Sequence, residues 1–322
     1  MSEQIADPAR GARIAKVIAR AGLASRRQAE AWIAAGRVSV NGKVIDSPAL
    51  NVTAADRIAV DGEPLPRRER TRLFRYHKPR GQVTTHADPR GRPTIFSALP
   101  QNLPRLISVG RLDINSEGLL LLTNDGGLAR TLELPATGWL RRYRVREHGR
   151  VAQDQLERLR PGVRIDGVDY GPVEATLDRV QGSNIWLTVA IREGKNHEVR
   201  KVLGHLGLVV NRLIRVSFGP LQLGDLAAGE IEEVNTRSLR EQLGRRLALM
   251  AGAQFSGPIG QGEAAAKQAP RDRRRVDAPG FDKGSGQSGR KPRHVEAERI
   301  GAPELARREK RRGRRPARDR SR

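Results

Sequence analysis

The sequence has no cysteine among its 322 residues, which excludes disulfides and thiolate metal sites and fits a reducing compartment. Its six histidines are scattered and form no ligand pair of the H-E-x-x-H kind, so no metal is expected. No apolar run reaches about 18 residues, so no segment reads as a membrane span. The opening M-S-E-Q-I-A-D lacks a signal-peptide core, and a cytoplasmic location away from any membrane is the expectation. Glycine motifs that cradle phosphates or dinucleotides are also absent, and no cofactor is expected.

What is abundant is positive charge. Lys and Arg number 60 against 36 Asp and Glu, a formal net charge of +24. A polyanion is therefore the first partner to consider, with nucleic acid ahead of an acidic membrane surface. The length suits two folded units plus a remainder that does not fold. Composition changes near residue 250, beyond which Gly, Pro, Ser, Gln and Arg dominate. Residues 251–322 hold 20 Lys and Arg against 9 Asp and Glu, a net of +11 that leaves +13 for the rest. Residues 249–322 are expected to form a disordered basic tail.

Near the N-terminus Ile14, Val17, Ile18 and Ala21 share one helical face, which Gly22 closes. Ser25 and Gln28 form a capping box for a second helix carrying Ala29, Trp32 and Ile33. Two hairpins follow, turning at Asn41-Gly42 and Asp61-Gly62. The opposite helix faces carry Arg13, Lys16 and Arg20, then Arg26, Arg27 and Arg37, a stripe suited to a phosphate backbone. A Pro- and Arg-rich stretch, 63–72, reads as a linker.

Strand-like runs at 73–77, 106–112, 119–123, 142–146, 184–191 and 212–218 alternate irregularly with helical segments at 128–134, 152–159 and 197–206. Strands outnumber helices and meet through short turns, so the fold class is α+β with a mixed or antiparallel sheet over 73–248. Within it, S-V-G-R-L-D-I-N-S-E-G-L-L-L-L-T-N-D-G, from Ser108 to Gly126, delivers Arg111 and Asp113 to the end of a strand. A polar loop then turns into a run of leucines. A carboxylate and an Arg on such rigid support suit catalysis, although on spacing alone a turn-capping acid beside a solvated Arg is the more common explanation. Glu117, four residues on, admits a two-carboxylate glycosidase reading, for which nothing fixes the separation.

Over residues 11–62, the segment G-L-A-S-R-R-Q-A-E-A-W-I-A-A-G-R-V-S-V-N-G-K-V-I resembles the S4 RNA-binding domain. G-R-L-D with N-S-E-G-L-L-L-L-T-N-D-G, R-R-Y-R-V at 141–145, R-E-G-K-N-H-E-V-R-K-V at 192–202 and N-R-L-I-R-V at 211–216 resemble, in order, the pseudouridine synthases of the branch founded on small-subunit enzyme A. The resemblance implies isomerisation of a uridine in ribosomal RNA, with Asp113 as the essential carboxylate and Arg200 as its ion-pair partner. It also implies Tyr143 as a platform under the target base; an isomerisation without redox change or group donor needs no cofactor, and a monomer is expected. Arg111 would fill the gap left by the flipped uridine or clamp a phosphate. His197 and Lys195 share the Arg200 motif, as RNA contacts or as a helix cap. The S4 module, Asn115 and the basic tail are most similar to the large-subunit type B members, which implies 23S rRNA or a ribosome assembly intermediate. A 16S-directed enzyme and a non-catalytic S4-type assembly factor are the alternatives.

Overall fold

The computed structural model describes residues 11–259. Helix α1 (Ile14–Arg20) buries Ile14, Ala15 and Ile18. Helix α2 (Arg26–Ala34) begins at Ser25, whose hydroxyl accepts from the Gln28 N–H at 3.1 Å while the Gln28 side chain accepts from the Ser25 N–H at 2.9 Å. That reciprocal box pairs two donors a helix start otherwise orphans. Asn41, Gly42, Asp61 and Gly62 all take φ between 52° and 83°, the left-handed geometry that two-residue hairpins need. The hairpins fix strands β1 (Val38–Val40) and β2 (Ile58–Val60) in a small antiparallel sheet, which closes on the helices through Ile18, Ile33, Val38 and Val60.

The larger sheet contains β3 (Leu73–Lys78), β4 (Ile107–Val109) and β5 (Glu117–Thr123), and helix α3 (Gly126–Glu133) follows. Next come β6 (Arg141–His148), helix α4 (Gln153–Glu157), β7 (Val173–Gln181) and β8 (Asn184–Ile191). Helix α5 (Glu198–His205), β9 (Val209–Phe218), β10 (Ile231–Glu233) and helix α6 (Thr236–Ala251) complete the described chain. The strand order is β7-β8-β6-β9-β5-β3-β10, antiparallel except where β9 runs parallel to β5, with β4 paired to β5. This is the mixed α+β arrangement expected from the sequence.

Strand β5 is buried at all seven positions. Leu120 and Leu122 join a core with Phe74, Tyr76, Val145 and Leu187 on one face. Leu119 and Leu121 join Leu73, Leu128, Leu239 and Leu243 on the other. Each fully buried leucine contributes roughly 1.5–3 kcal/mol, so the run that follows Asp113 anchors its loop to both cores. Gly118 makes the anchorage possible. Its φ is +104°, and a Cβ there would stand 2.3 Å from the Arg215 carbonyl oxygen of β9, so only glycine lets the two parallel strands approach.

Three expectations need correction. Strand β7 and helix α6 lie where the sequence pattern marks no element. Residues 63–72 are not a loose linker: Arg68 pairs with Asp125 at 2.7 Å, Thr71 donates to the same carboxylate at 2.7 Å, and buried Arg72 pairs with Glu233 at 2.5 Å. The many arginines disguise a segment that pairs with a buried and a half-buried acid. The tail does not begin at 249 either, because α6 ends at Ala251, Phe255 packs against the second core and the Thr71 N–H donates to the Gln254 carbonyl at 2.6 Å. Residues beyond 259, and with them most of the tail, lie outside the described chain. Among the described residues no helix is long and apolar enough to cross a membrane.

Candidate active site

The loop between β4 and β5 is held by its backbone. The Leu112 carbonyl accepts from the Thr84 hydroxyl at 2.9 Å, that of Asp113 from Lys78 Nζ at 3.0 Å, and that of Ile114 from the Gly81 N–H at 2.8 Å. The Asn115 carbonyl accepts from Arg200 at 3.3 Å and that of Ser116 from Lys78 Nζ at 2.9 Å. Five consecutive carbonyls thus have partners, while the Asp113 side chain, 36% exposed, still reaches solvent. A functional group fixed this way needs little reorganisation to react. Lys78, fully buried, supplies a third bond to the Pro79 carbonyl at 3.1 Å. Burial pulls its ammonium down to about 8, against the opposing pull of Asp113 and Glu117.

Asp113 opens into a cleft of about 700 Å³. Arg111 lines its lip, exposed, and Tyr143 lines its wall, almost buried at 7% exposure. Tyr143 pairs in register with Arg215 of β9. Arg141 and Arg215, both buried, lie over the Phe218 ring at 4.6 and 5.2 Å from its centroid. Sequence reasoning gives neither a role. Strand alternation points Arg141 inward, but only the register of β6 on β9 brings the two cations to one ring.

The long R-E-G-K-N-H-E segment supplies the facing wall. Glu198, buried and pushed up by that burial, accepts from the Lys195 N–H at 2.8 Å, while His197 takes a left-handed φ of 54° and opens α5. His197 Nε2 stands 3.5 Å from Asp113 Oδ1 and forms an ion pair when the imidazole is protonated. Arg200 lines the same cleft, but the expected ion pair with Asp113 is not formed. Its guanidinium donates instead to the carbonyls of Val210 at 3.1 Å and Asn115 at 3.3 Å, so it braces the loop that carries the acid. Burial lowers its pKa and the field of Asp113 opposes that shift. Among the described residues no group of three or more His, Asp or Glu side chains is placed to hold a metal ion.

Of the six predicted S4 cations, Arg13, Lys16, Arg20 and Arg26 line a second open cleft of about 760 Å³. Arg27 is exposed on α2. Lys16 and Arg20 are partly buried, and desolvation comes first in lowering both, followed by repulsion from Arg20 on Lys16 and from Arg68 on Arg20. Such crowding of cations is relieved by an anion. Arg37 behaves differently: it is bound to Asp61 through two bonds of 2.8 and 2.5 Å and lies 4.9 Å from the Trp32 ring centroid.

Residues 12–58 match the S4 domain family, and residues 72–205 match the family described as RNA pseudouridylate synthase. The chain is 45% identical to an uncharacterized RNA pseudouridine synthase of Rickettsia prowazekii, over 72% of this chain and 97% of that protein. It is 42% identical to ribosomal large subunit pseudouridine synthase B of Pseudomonas aeruginosa, over 75% of this chain and 65% of that protein. A crystal structure of a pseudouridylate synthase superposes with a TM-score of 0.51 at 28% identity, covering 72% of this chain and all of that one.

Proposed function

Since the chain belongs to the RNA pseudouridylate synthase family and carries an S4 domain before its catalytic domain, we propose that it isomerises one uridine of ribosomal RNA, within the 23S RNA of the large subunit. Asp113 is the essential carboxylate of this reading, Tyr143 the surface under the target base, and Arg200 the brace of the catalytic loop. The N1–C1′ bond of the uridine breaks, the uracil turns, and a C5–C1′ bond forms while the C5 proton leaves and N1 gains one. Nothing is oxidised. A carboxylate serves this sequence as a nucleophile at the sugar or the base, or as the base that takes a ribose proton.

The observation that carries the reading is the Asp113 loop, with five successive carbonyls bonded and the carboxylate presented to a cleft walled by Tyr143 and cations. Arg111, beside it on the lip, is suited to fill the stack after the uridine leaves, a departure that costs roughly a few kcal/mol. The large-subunit assignment draws on the name of the Pseudomonas aeruginosa relative, and on the exposed S4 cations as the means of gripping structured RNA. One chain holds Asp113, Tyr143 and Arg200 in a single cleft, so the proposal takes the monomer as the working unit. Carbodiimide treatment and primer extension on ribosomal RNA from cells with and without the gene test it. One stop in 23S RNA that vanishes with the gene is expected, and an unchanged pattern would refute the proposal.

A further inference from the structure

The face of the sheet turned away from Tyr143 has an organisation that the chemistry does not use. Strand β6 alternates strictly, with Arg141, Tyr143, Val145 and Glu147 buried and Arg142, Arg144, Arg146 and His148 exposed. Residues directly opposite one another in an antiparallel pair share a face. Arg146 therefore stands between Trp186 of β8 and Arg212 of β9, and Trp186 in turn stands opposite Arg179 of β7. Arg144 has Thr188 and Ile214 as neighbours, and its guanidinium lies 5.0 Å from the Trp186 ring centroid.

An open antiparallel face is expected to be polar, but not to look like this. No acid stands directly opposite Arg142, Arg144 or Arg146 on either neighbouring strand. Among the described residues Arg142, Arg146 and Arg179 make no ion pair. Arg212 is engaged by Glu117 at 2.8 Å, and Asp178 accepts from the Thr188 hydroxyl at 2.8 Å. Glu174 of β7, opposite Ala190 of β8, is a further acid on this face. Placing Arg146 against Arg212 is unfavourable for the sheet itself, and a half-exposed tryptophan among arginines gains little from water. Both features become favourable when an anionic, aromatic ligand covers them.

We propose that this face is a second RNA-binding surface, on which an unpaired nucleotide stacks on Trp186 while Arg142, Arg144 and Arg146 follow the phosphates. The three arginines recur along β6 every second residue, at intervals of about 7 Å, a length suited to successive phosphates of an extended strand. Stacking on an aromatic platform flanked by cations is the general mode of single-strand recognition. Arg142 to Arg146 lie on the same strand as Tyr143, so RNA held here would grip the reverse side of the element that forms the cleft wall. The inference requires RNA as ligand and does not depend on which uridine reacts.

The test uses the full chain and purified ribosomal RNA over a series of salt concentrations. The triple variant Arg142→Gln, Arg144→Gln, Arg146→Gln is expected to bind at least about ten-fold more weakly at physiological salt. Its log–log salt slope should be shallower by about 0.7–0.9 for each phosphate that is no longer neutralised, with kcat at saturating RNA unchanged. Trp186→Ala is expected to weaken binding about five-fold or more, and Trp186→Phe to retain most of it. Photocrosslinking of 4-thiouridine-substituted ribosomal RNA to the wild-type chain should mark the peptide containing Trp186, a readout that survives if a variant fails to fold. Unchanged affinity and slope in a folded triple variant, or no crosslink on that peptide, would overturn the proposal. Loss of a ribosomal protein partner with RNA binding intact would overturn it in favour of a protein surface. If the wild-type chain makes no pseudouridine, the functional proposal fails while this binding result stands.

Discussion

Lys78 has no exposed surface, yet its ammonium is engaged by the carbonyls of Pro79, Asp113 and Ser116. Replacing it with Met takes the ammonium donor from the Pro79 and Ser116 carbonyls at about 1–3 kcal/mol each, while the Asp113 carbonyl keeps the Ser116 N–H at 3.0 Å, and removing a desolvated charge offsets part of the loss. We expect Lys78→Met to lower stability by about 2–4 kcal/mol in urea unfolding and to depress kcat more than it raises KM, since the loop under Asp113 loosens. An equal change in both kinetic constants, or none, would deny Lys78 this bracing role. Glu147 is the complementary case, fully buried on β6 with neither carboxylate oxygen hydrogen-bonded. Burial pushes its carboxyl up to about 7, and the Arg200 cation works against the shift. Because the folded chain holds this proton more tightly than the unfolded one, the group's stabilisation is complete below about pH 4.5 and is lost as pH rises through 7. Glu147→Gln, which mimics the protonated form, should therefore raise stability at pH 8 relative to wild type and flatten its decline between pH 5 and 8. Parallel curves for the two proteins would show that Glu147 is ionised throughout.

Elements were legible in the sequence where local chemistry decided them. The Ser25 capping box and the Asn41-Gly42 and Asp61-Gly62 turns require no distant partner, and they stand as read. The L-L-L-L run reads as a central strand because both of its faces are covered. The sequence does not mark helix α6, although Leu239, Leu243, Leu247 and Ala251 share one buried face, because Gly244, at φ 65°, and a dense set of charges interrupt the pattern. Strand β7 was obscured by the irregular register between Leu177 and Arg179. The Asp113 loop was legible as a motif, but Lys78, Arg141 and Arg215 were not, because their partners come from remote segments. The C-terminal edge gives a direct check of the corrected boundary. A chain ending at residue 248 loses Ala251 and Phe255 from the second core, together with the Thr71–Gln254 hydrogen bonds. It should melt well below full-length protein, whereas a chain ending at 259 should melt with it. The 259 variant keeps kcat at saturating RNA, and the removal of all 20 Lys and Arg and all 9 Asp and Glu that follow residue 250 appears as a higher KM. Equal melting of both truncations would contradict the packing of residues 249–259.

For the whole molecule, charge and chemistry are separable. In the proposed reading the net charge of +24 draws RNA through phosphate contacts dispersed over the S4 helices and the catalytic domain, while bond breaking is assigned to one carboxylate on a fixed loop. Asp113→Asn tests that division most directly, since the amide preserves shape and removes both negative charge and basicity. The measurement is pseudouridine formation in ribosomal RNA, followed by mass labelling, beside an RNA-binding titration for wild type and variant. A folded variant that binds RNA at least as tightly as wild type and forms no pseudouridine is the predicted result. Substantial turnover by Asp113→Asn would contradict it and remove the loop carboxylate from the mechanism.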